Sequence, residues 1–462
     1  MTIFDAIKEN DIDGIVACSN EVNEKNISGK TPLMYAVQNN KSIDIISTLI
    51  SIGADINDET THGCTPLMLA VLFNASHDII RLLIQHGATT DIENNGETLL
   101  QKAVVYGCSY KNILTLLECG VNINAKNSNG VSVLMYAAKH CSHKKVIEFL
   151  ISIGADIAAV DNDGNTALMY AAEYNDNIEI MASLIQAGAD PLDVNNDKEN
   201  ALLCAARGNQ NPQAISFLID ILSKSSHSDT SYIEALMHAA KYSNCEGVIE
   251  ELIASGINVN TMDSHGETAL TYAAKNNENQ AIIKTLLQKG AFIDVFNKSG
   301  FSPLMLAILF NPNTLIALTL INKGADVNIR TSKGYTPLMQ AALFNDNLKV
   351  VKRLISAGAD VNARSNNGYS PLMFAAWNNP NAEIILELIK AGAEVDVTDK
   401  DDETALMKAI ENNRNQEIIN ILANNKNEPV ELDVSFSTQF ELLSKKFLEK
   451  AKEFSFLKSF KV

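Results

Sequence analysis

The sequence predicts an all-α repeat solenoid. One short phrase returns along most of the chain, its returns keep a constant spacing, and each opens a pair of apolar stretches with helical periodicity. The phrase reads KTPLMYAV from Lys30, CTPLMLAV from Cys64, NTALMYAA from Asn165 and ETALTYAA from Glu267. It continues as FSPLMLAI from Phe301, YTPLMQAA from Tyr335, YSPLMFAA from Tyr369 and ETALMKAI from Glu403. Its leucine gives the anchors Leu33, Leu67, Leu100, Leu134, Leu168, Leu202, Leu236, Leu270, Leu304, Leu338, Leu372 and Leu406. Every step is 34 residues except Leu67 to Leu100, which is 33. About 12 repeats in one phase define a stack in which each buries its apolar face on its neighbours.

Each element of the repeat has a physical reason. At Thr336-Pro337 a hydroxyl caps a helix and proline suits its first turn. Leu338, Ala341 and Ala342 then make a short apolar helix whose small residues permit close packing. Asn345-Asp346-Asn347 turns the chain, and Val350, Val351, Leu354 and Ile355 follow at helical spacing as a second, amphipathic helix. Gly358 stands where a left-handed residue stops it. The polar, Asn-rich stretch from Asp360 to Gly368 reads as a tight hairpin leading into the next cap.

The domain organisation follows from this phase. Residues 1–27 are expected to be a degenerate N-terminal capping repeat, residues 28–424 the array, and 425–462 a linker with a C-terminal amphipathic helix. The array has an irregular joint near 222–232, where KSSHSDT (Lys224 to Thr230) replaces the usual Gly-Ala-Asp. The phase survives there, so stacking is expected to continue, with a hinge or altered hairpin as the alternative. In the tail, Phe440, Leu443, Phe447, Ala451, Phe454, Leu457 and Phe460 step by three or four. Six lysines against three acids make this piece basic. Capping of the last repeat, docking onto the acidic array and contact with a membrane are all open to it.

The repeat resembles the ankyrin repeat, whose hallmarks stand at Gly334 to Leu338, Ala341-Ala342 and Gly358 to Asn362. The resemblance runs over about residues 25–424. It implies helix-turn-helix repeats with projecting hairpins and a concave recognition surface built from hairpin tips and the exposed end of each first helix. Two departures stand out. The family's histidine after Thr-Pro-Leu is methionine at Met34, Met68, Met305, Met339 and Met373, so packing is expected to replace its hydrogen bond between repeats. Its Gly-His turn is expanded by one residue into text such as Asn175-Asp176-Asn177, which accounts for the period of 34.

Composition sets limits on function. The 462 residues carry 55 acidic and 37 basic side chains, a net charge of −18, which repels phosphate backbones and argues against nucleic acid as a partner. Seven scattered cysteines suit a reducing compartment. The first residues lack a secretory pattern and no apolar run is long enough for a membrane span, so a cytoplasmic monomer is expected. No phosphate-binding, nucleophile-elbow or zinc-protease motif occurs, so neither an enzyme nor a cofactor is expected. His140, Cys141 and His143, with Cys108 one repeat earlier, are the nearest approach to a metal cluster. Without paired cysteine spacing they read as polar turn residues and a buried thiol.

Repetition itself points to the recognition residues, because a side chain that breaks the pattern is free to serve a partner. After the hairpin glycine the residues are mostly polar or small, but three successive repeats carry Phe301, Tyr335 and Tyr369. After the alanine pair the same repeats carry Leu309, Leu343 and Trp377, where most others are polar. These six are the candidate partner-binding residues, an apolar patch of the kind that marks interface hot spots; shielding of the core between repeats is the alternative. Phe73, Tyr106, Tyr174, Tyr242, Phe310 and Phe344 recur one position later, so packing is expected for them. The predicted function is a non-catalytic scaffold or adaptor that binds a protein through the concave surface. The alternative is a secreted bacterial effector acting on a host protein, since Asn- and Ile-rich arrays of this kind resemble those of host-associated bacteria.

Overall fold

The computed structural model describes residues 1–224, 230–344, 347–413 and 415–425. Among these are 26 α-helices and one two-stranded hairpin, Glu93–Asn94 with Glu97–Thr98. The helices come in antiparallel pairs, seven to eight residues for most first helices and nine for most second helices, as in Pro371–Asn378 and Ala382–Lys390. All twelve anchor leucines are buried. At ~1.5–3 kcal/mol for each buried leucine, this row is one substantial part of a core that also holds the apolar faces of the second helices.

Local chemistry starts and stops the helices as the sequence predicts. Thr31 Oγ1 accepts the Met34 N–H at 3.3 Å, and Ser302 Oγ does the same for Met305 at 3.4 Å, each just before a first-turn proline. Most second helices close on a glycine; Pro212–Ser223, before the irregular joint, does not. Gly358 has φ +91°, its N–H reaches the Ile355 carbonyl, and the Ala359 N–H reaches Leu354. That pair of bonds is the Schellman motif, and the Gly-Ala of the repeat supplies both residues.

The chain falls into two compact units, Met1–Ser231 and Tyr232–Val462. The first begins with the short pair Ile3–Glu9 and Ile12–Ala17, whose Thr2 and Asp11 side chains cap their helices. In its next three repeats the turn between helices passes through a left-handed residue, Asn40, Asn74 or Gly107. From Cys141 onward the first helix ends on an extended residue instead, at Asn175 and Asn209 in this unit and at Asn277, Asn311 and Asn379 in the second.

These asparagines form a ladder. Asn175 Nδ2 donates to the carbonyls of Ala138 and Cys141, and Asn209 to those of Ala172 and Asn175. In the second unit Asn277 reaches Ala240 and Ser243, and Asn311 reaches Ala274 and Asn277. Each rung satisfies orphan carbonyls at the end of the preceding repeat's first helix. A second ladder runs through the hairpins. Asn328 donates to the Gly358 carbonyl and accepts from the Asp360 N–H, and Asn124 does the same with Gly154 and Asp156. Met34, Met68, Met305, Met339 and Met373 are all buried, but packing is only half of what joins the repeats. The hydrogen bonds are carried by asparagine at other positions of the repeat.

No described helix is long and apolar enough to cross a membrane. The helices flanking the irregular joint, Pro212–Ser223 and Thr230–Tyr242, are longer than their counterparts elsewhere. The joint's residues 225–229, the turn positions 345–346 and the basic stripe from Phe440 to Phe460 lie outside the described residues.

Candidate functional site

In the second unit the hairpins and the ends of the first helices present an aromatic strip. Phe301, Leu309, Tyr335 and Leu343 line a cavity of about 170 Å³, joined by Phe344, Phe374 and the Gln340 side chain. Tyr335 meets Phe374 edge-on at 5.5 Å, one repeat further along. Phe374 in turn lies 5.4 Å from Tyr369 and stacks on Trp377 at 6.3 Å, and Tyr369 and Trp377 are 5.9 Å apart. The structure therefore brings four of the six candidates around one cavity and connects the other two through Phe374.

They are not equally open. Phe301, Leu309, Tyr335 and Trp377 are half-buried, whereas Leu343 at 8% exposure and Tyr369 at 7% are closed off. These two are the floor of the strip. Tyr369 is covered because the Lys408 ammonium of the following repeat sits 4.9 Å from its ring.

Phe374 is the residue that sequence reasoning missed. It sits just before the alanine pair, where the series runs Tyr35, Leu69, Lys102, Tyr136, Tyr170, Cys204, His238, Tyr272, Leu306, Gln340, Phe374, Lys408. An aromatic there is common and so reads as scaffold; only its position between Tyr335, Tyr369 and Trp377 distinguishes it.

The aromatics one position further on correct an expectation. Phe73, Tyr106, Tyr174 and Tyr242 are not packed away but are about half exposed, at 49%, 56%, 50% and 46%. They stand at the last residue or cap of the first helix, beyond the turns that neighbours cover, so one ring face stays open. Lysines cover part of that face, with Lys139 4.2 Å from the Tyr174 ring and Lys241 4.5 Å from Tyr242.

Elsewhere the same face is polar and internally paired. Tyr170 Oη donates to Asp161 and Tyr272 Oη to Asp263, both at 2.8 Å. Burial, together with the bonded carboxylate, pushes both phenols well above their ordinary range. Lys102 pairs with Glu97 at 2.7 Å, and Arg207 bridges Glu173 and Glu199. Burial alone would raise the Glu97 carboxyl, but hydrogen bonds from Lys102 and Tyr136 outweigh it and hold the group below its ordinary value.

Among the described residues, no group of three or more His, Cys, Asp or Glu is placed to hold a metal ion. Cys108 is buried, and burial pushes the Cys141 thiol up to about 11, away from the thiolate that a metal requires. His140 packs its ring 4.6 Å from Tyr136.

The twelvefold phase, the capped helix pairs, the glycine stops and the projecting hairpins coincide with a family model. Models of ankyrin repeats in three copies match residues 33–127, 108–195, 168–263, 236–331, 304–399 and 338–433. The chain belongs to the ankyrin repeat family. No curated protein matches it. Ankyrin repeats are generally protein-protein interaction modules, and the family is typically non-catalytic. In this ankyrin array the aromatic strip differs from the paired polar face of the other repeats in offering apolar surface around an open cavity.

Proposed function

We propose that this ankyrin repeat protein is a non-catalytic scaffold or adaptor that holds a protein partner on the aromatic strip of its second unit. Phe301, Leu309, Tyr335 and Trp377 make the contact, and Leu343 and Tyr369 support them from beneath. The observation that carries this reading is that Phe301, Leu309, Tyr335 and Leu343 line a 170 Å³ cavity joined to Tyr369 and Trp377 through Phe374, at phases where most other repeats place polar or small residues. Clustered Trp and Tyr in a water-excluding setting are the usual anchors of protein interfaces. The acidic surface favours a protein ligand over nucleic acid.

Affinity capture from native lysate tests this, using the wild type beside a Phe301→Ala, Tyr335→Ala, Trp377→Ala variant. A Phe73→Ala, Tyr106→Ala variant of the first unit serves as control. Proteins retained by wild type and control but lost with the triple variant support the strip. A set of captured proteins unchanged by the triple variant overturns it.

A further inference from the structure

We infer that the gap between the hairpins at Ala158 and Gly188 takes a primary carboxamide, presented by an Asn or Gln side chain of a bound protein. The gap lies in the first unit, so the inference is independent of the aromatic strip in the second. It rests on the hairpin ladder, which loses a rung at this point.

Six asparagines show what an intact rung does. Asn23, Asn57, Asn124, Asn260, Asn328 and Asn362 each donate Nδ2 to the carbonyl of the hairpin glycine 30 residues on. Each also accepts, on Oδ1, the N–H two residues after that glycine. A carboxamide carries a donor and an acceptor side by side, so one group answers both backbone groups.

Thirty residues before Gly188 stands Ala158. Its backbone keeps the place of an asparagine: the Ala158 N–H donates to Asp156 Oδ1 at 3.0 Å, as the Asn328 N–H does to Asp326 at 2.8 Å. The facing hairpin keeps its shape too, with the Leu192 N–H on Asp190 Oδ1 at 2.9 Å, as the Asn362 N–H lies on Asp360. Only the carboxamide is missing. Among the described residues nothing donates to the Gly188 carbonyl and nothing accepts the Asp190 N–H. An open cavity of about 470 Å³ takes the place of the side chain, and Ala158, Gly188 and Asp190 on its lining are all exposed, so a ligand reaches them from solvent.

The chemistry selects the occupant. A carboxylate answers half of the site, as Asp294 does in taking the Asp326 N–H while offering Gly324 no donor. Asp156, Asp190 and Asp193 along the cavity also repel it. An ammonium or guanidinium has donors alone and leaves the Asp190 N–H unanswered. A primary amide answers both groups, and the cavity has room for the backbone that carries it.

NMR titration of the full chain tests this, reading the Asp190 amide resonance, with the Asp360 amide of an intact rung as control. The probes are N-acetyl, N′-methylamide derivatives of Asn, Gln, Asp, Lys and Ala, which differ only in side chain, and acetamide. Blocked Asn or Gln is expected to shift the Asp190 resonance saturably, about tenfold more tightly than blocked Asp, Lys or Ala, and to leave Asp360 in place. Ala158→Asn is expected to shift Asp190 in the same direction and to remove the response to both amide side chains. Equal responses to all blocked residues, no response to either amide, or tighter binding of blocked Lys overturns the inference. Acetamide binding more tightly than blocked Asn and Gln overturns it in favour of a free small amide. A response that survives in Ala158→Asn also overturns it. If that variant fails to fold, the ranking of the probes on the wild type still decides.

Discussion

Asn311 Nδ2 donates to the backbone carbonyl of Asn277 at 2.8 Å, so one rung of the ladder is the footing of the next. The Asn277 amide in turn reaches Ser243, and in the first unit Asn209 stands on Asn175 in the same way. The rung is buried at each of these positions, where water cannot replace it.

Asn311→Ala is therefore expected to cost about 2 kcal/mol, because the Ala274 and Asn277 carbonyls lose their donor inside the protein. Asn311→Asp keeps the size but sets a carboxylate against two carbonyls, so it is expected to cost more. Asn313→Ala removes an exposed cap and is expected to cost about 1 kcal/mol. Urea midpoints of the three variants check this order. An exposed-cap loss larger than the ladder loss would contradict it.

Lys408 is nearly sealed, pairs with Asp399 at 2.8 Å and also binds Glu403. Lys408→Met is expected to destabilise by ~3 kcal/mol, since it leaves the buried Asp399 carboxylate without its cation. Adding Asp399→Asn to that variant is expected to restore most of the loss, because the uncompensated charge is gone. Thermal melts of the single and double variants measure this.

The Tyr272–Asp263 pair gives stability a dependence on pH at both ends. Burial and the bonded carboxylate raise the Tyr272 phenol above its ordinary 10.0, so its contribution is complete below pH 10 and is lost as pH rises through the folded value. Burial alone would raise Asp263, but hydrogen bonds from the Glu267 backbone and from Tyr272 lower it below 3.8. Its contribution is present above that value and is lost as pH falls through the folded one. Tyr272→Phe is expected to flatten both limbs of the melting temperature measured from pH 3 to 11. Unchanged limbs would show that the pair is not coupled to folding.

Gly130 and Gly358 both have positive φ, at +79° and +91°, but they face different surroundings. A Cβ at Gly358 would meet nothing within 4 Å, whereas at Gly130 it would fall 2.7 Å from the Asn162 backbone nitrogen of the next hairpin. Gly358→Ala is expected to cost about 1–2 kcal/mol for the left-handed backbone alone. Gly130→Ala is expected to cost more, because it also pushes away the Asn162 N–H that donates to Asn129. Chemical denaturation of the two variants separates the terms.

Much of this molecule is legible from its residues. Thr336-Pro337, Leu338, Ala341-Ala342 and Gly358 each act through their own backbone and nearest neighbours, so a single repeat is enough to place them. The candidate strip was legible as outliers in phase, and the structure does assemble Phe301, Leu309, Tyr335 and Leu343 around one cavity. Its depth was not legible, and neither was the exposure of Phe73 and Tyr106. Both depend on where each ring lies relative to the end of a short helix and to the repeat that covers it.

By itself, then, the sequence determined the period, the helix boundaries and the buried leucine row, because caps, turns and periodicity act over a few residues. Only the tertiary structure decided that Asn277 and Asn311 join into a ladder, that Phe374 links Tyr335 to Trp377, and that the hairpin ladder loses its rung between Ala158 and Gly188. In each case the deciding partner stands on a neighbouring repeat or hairpin, and whether a side chain meets a donor, a ring or a void depends on what stacking brings opposite it.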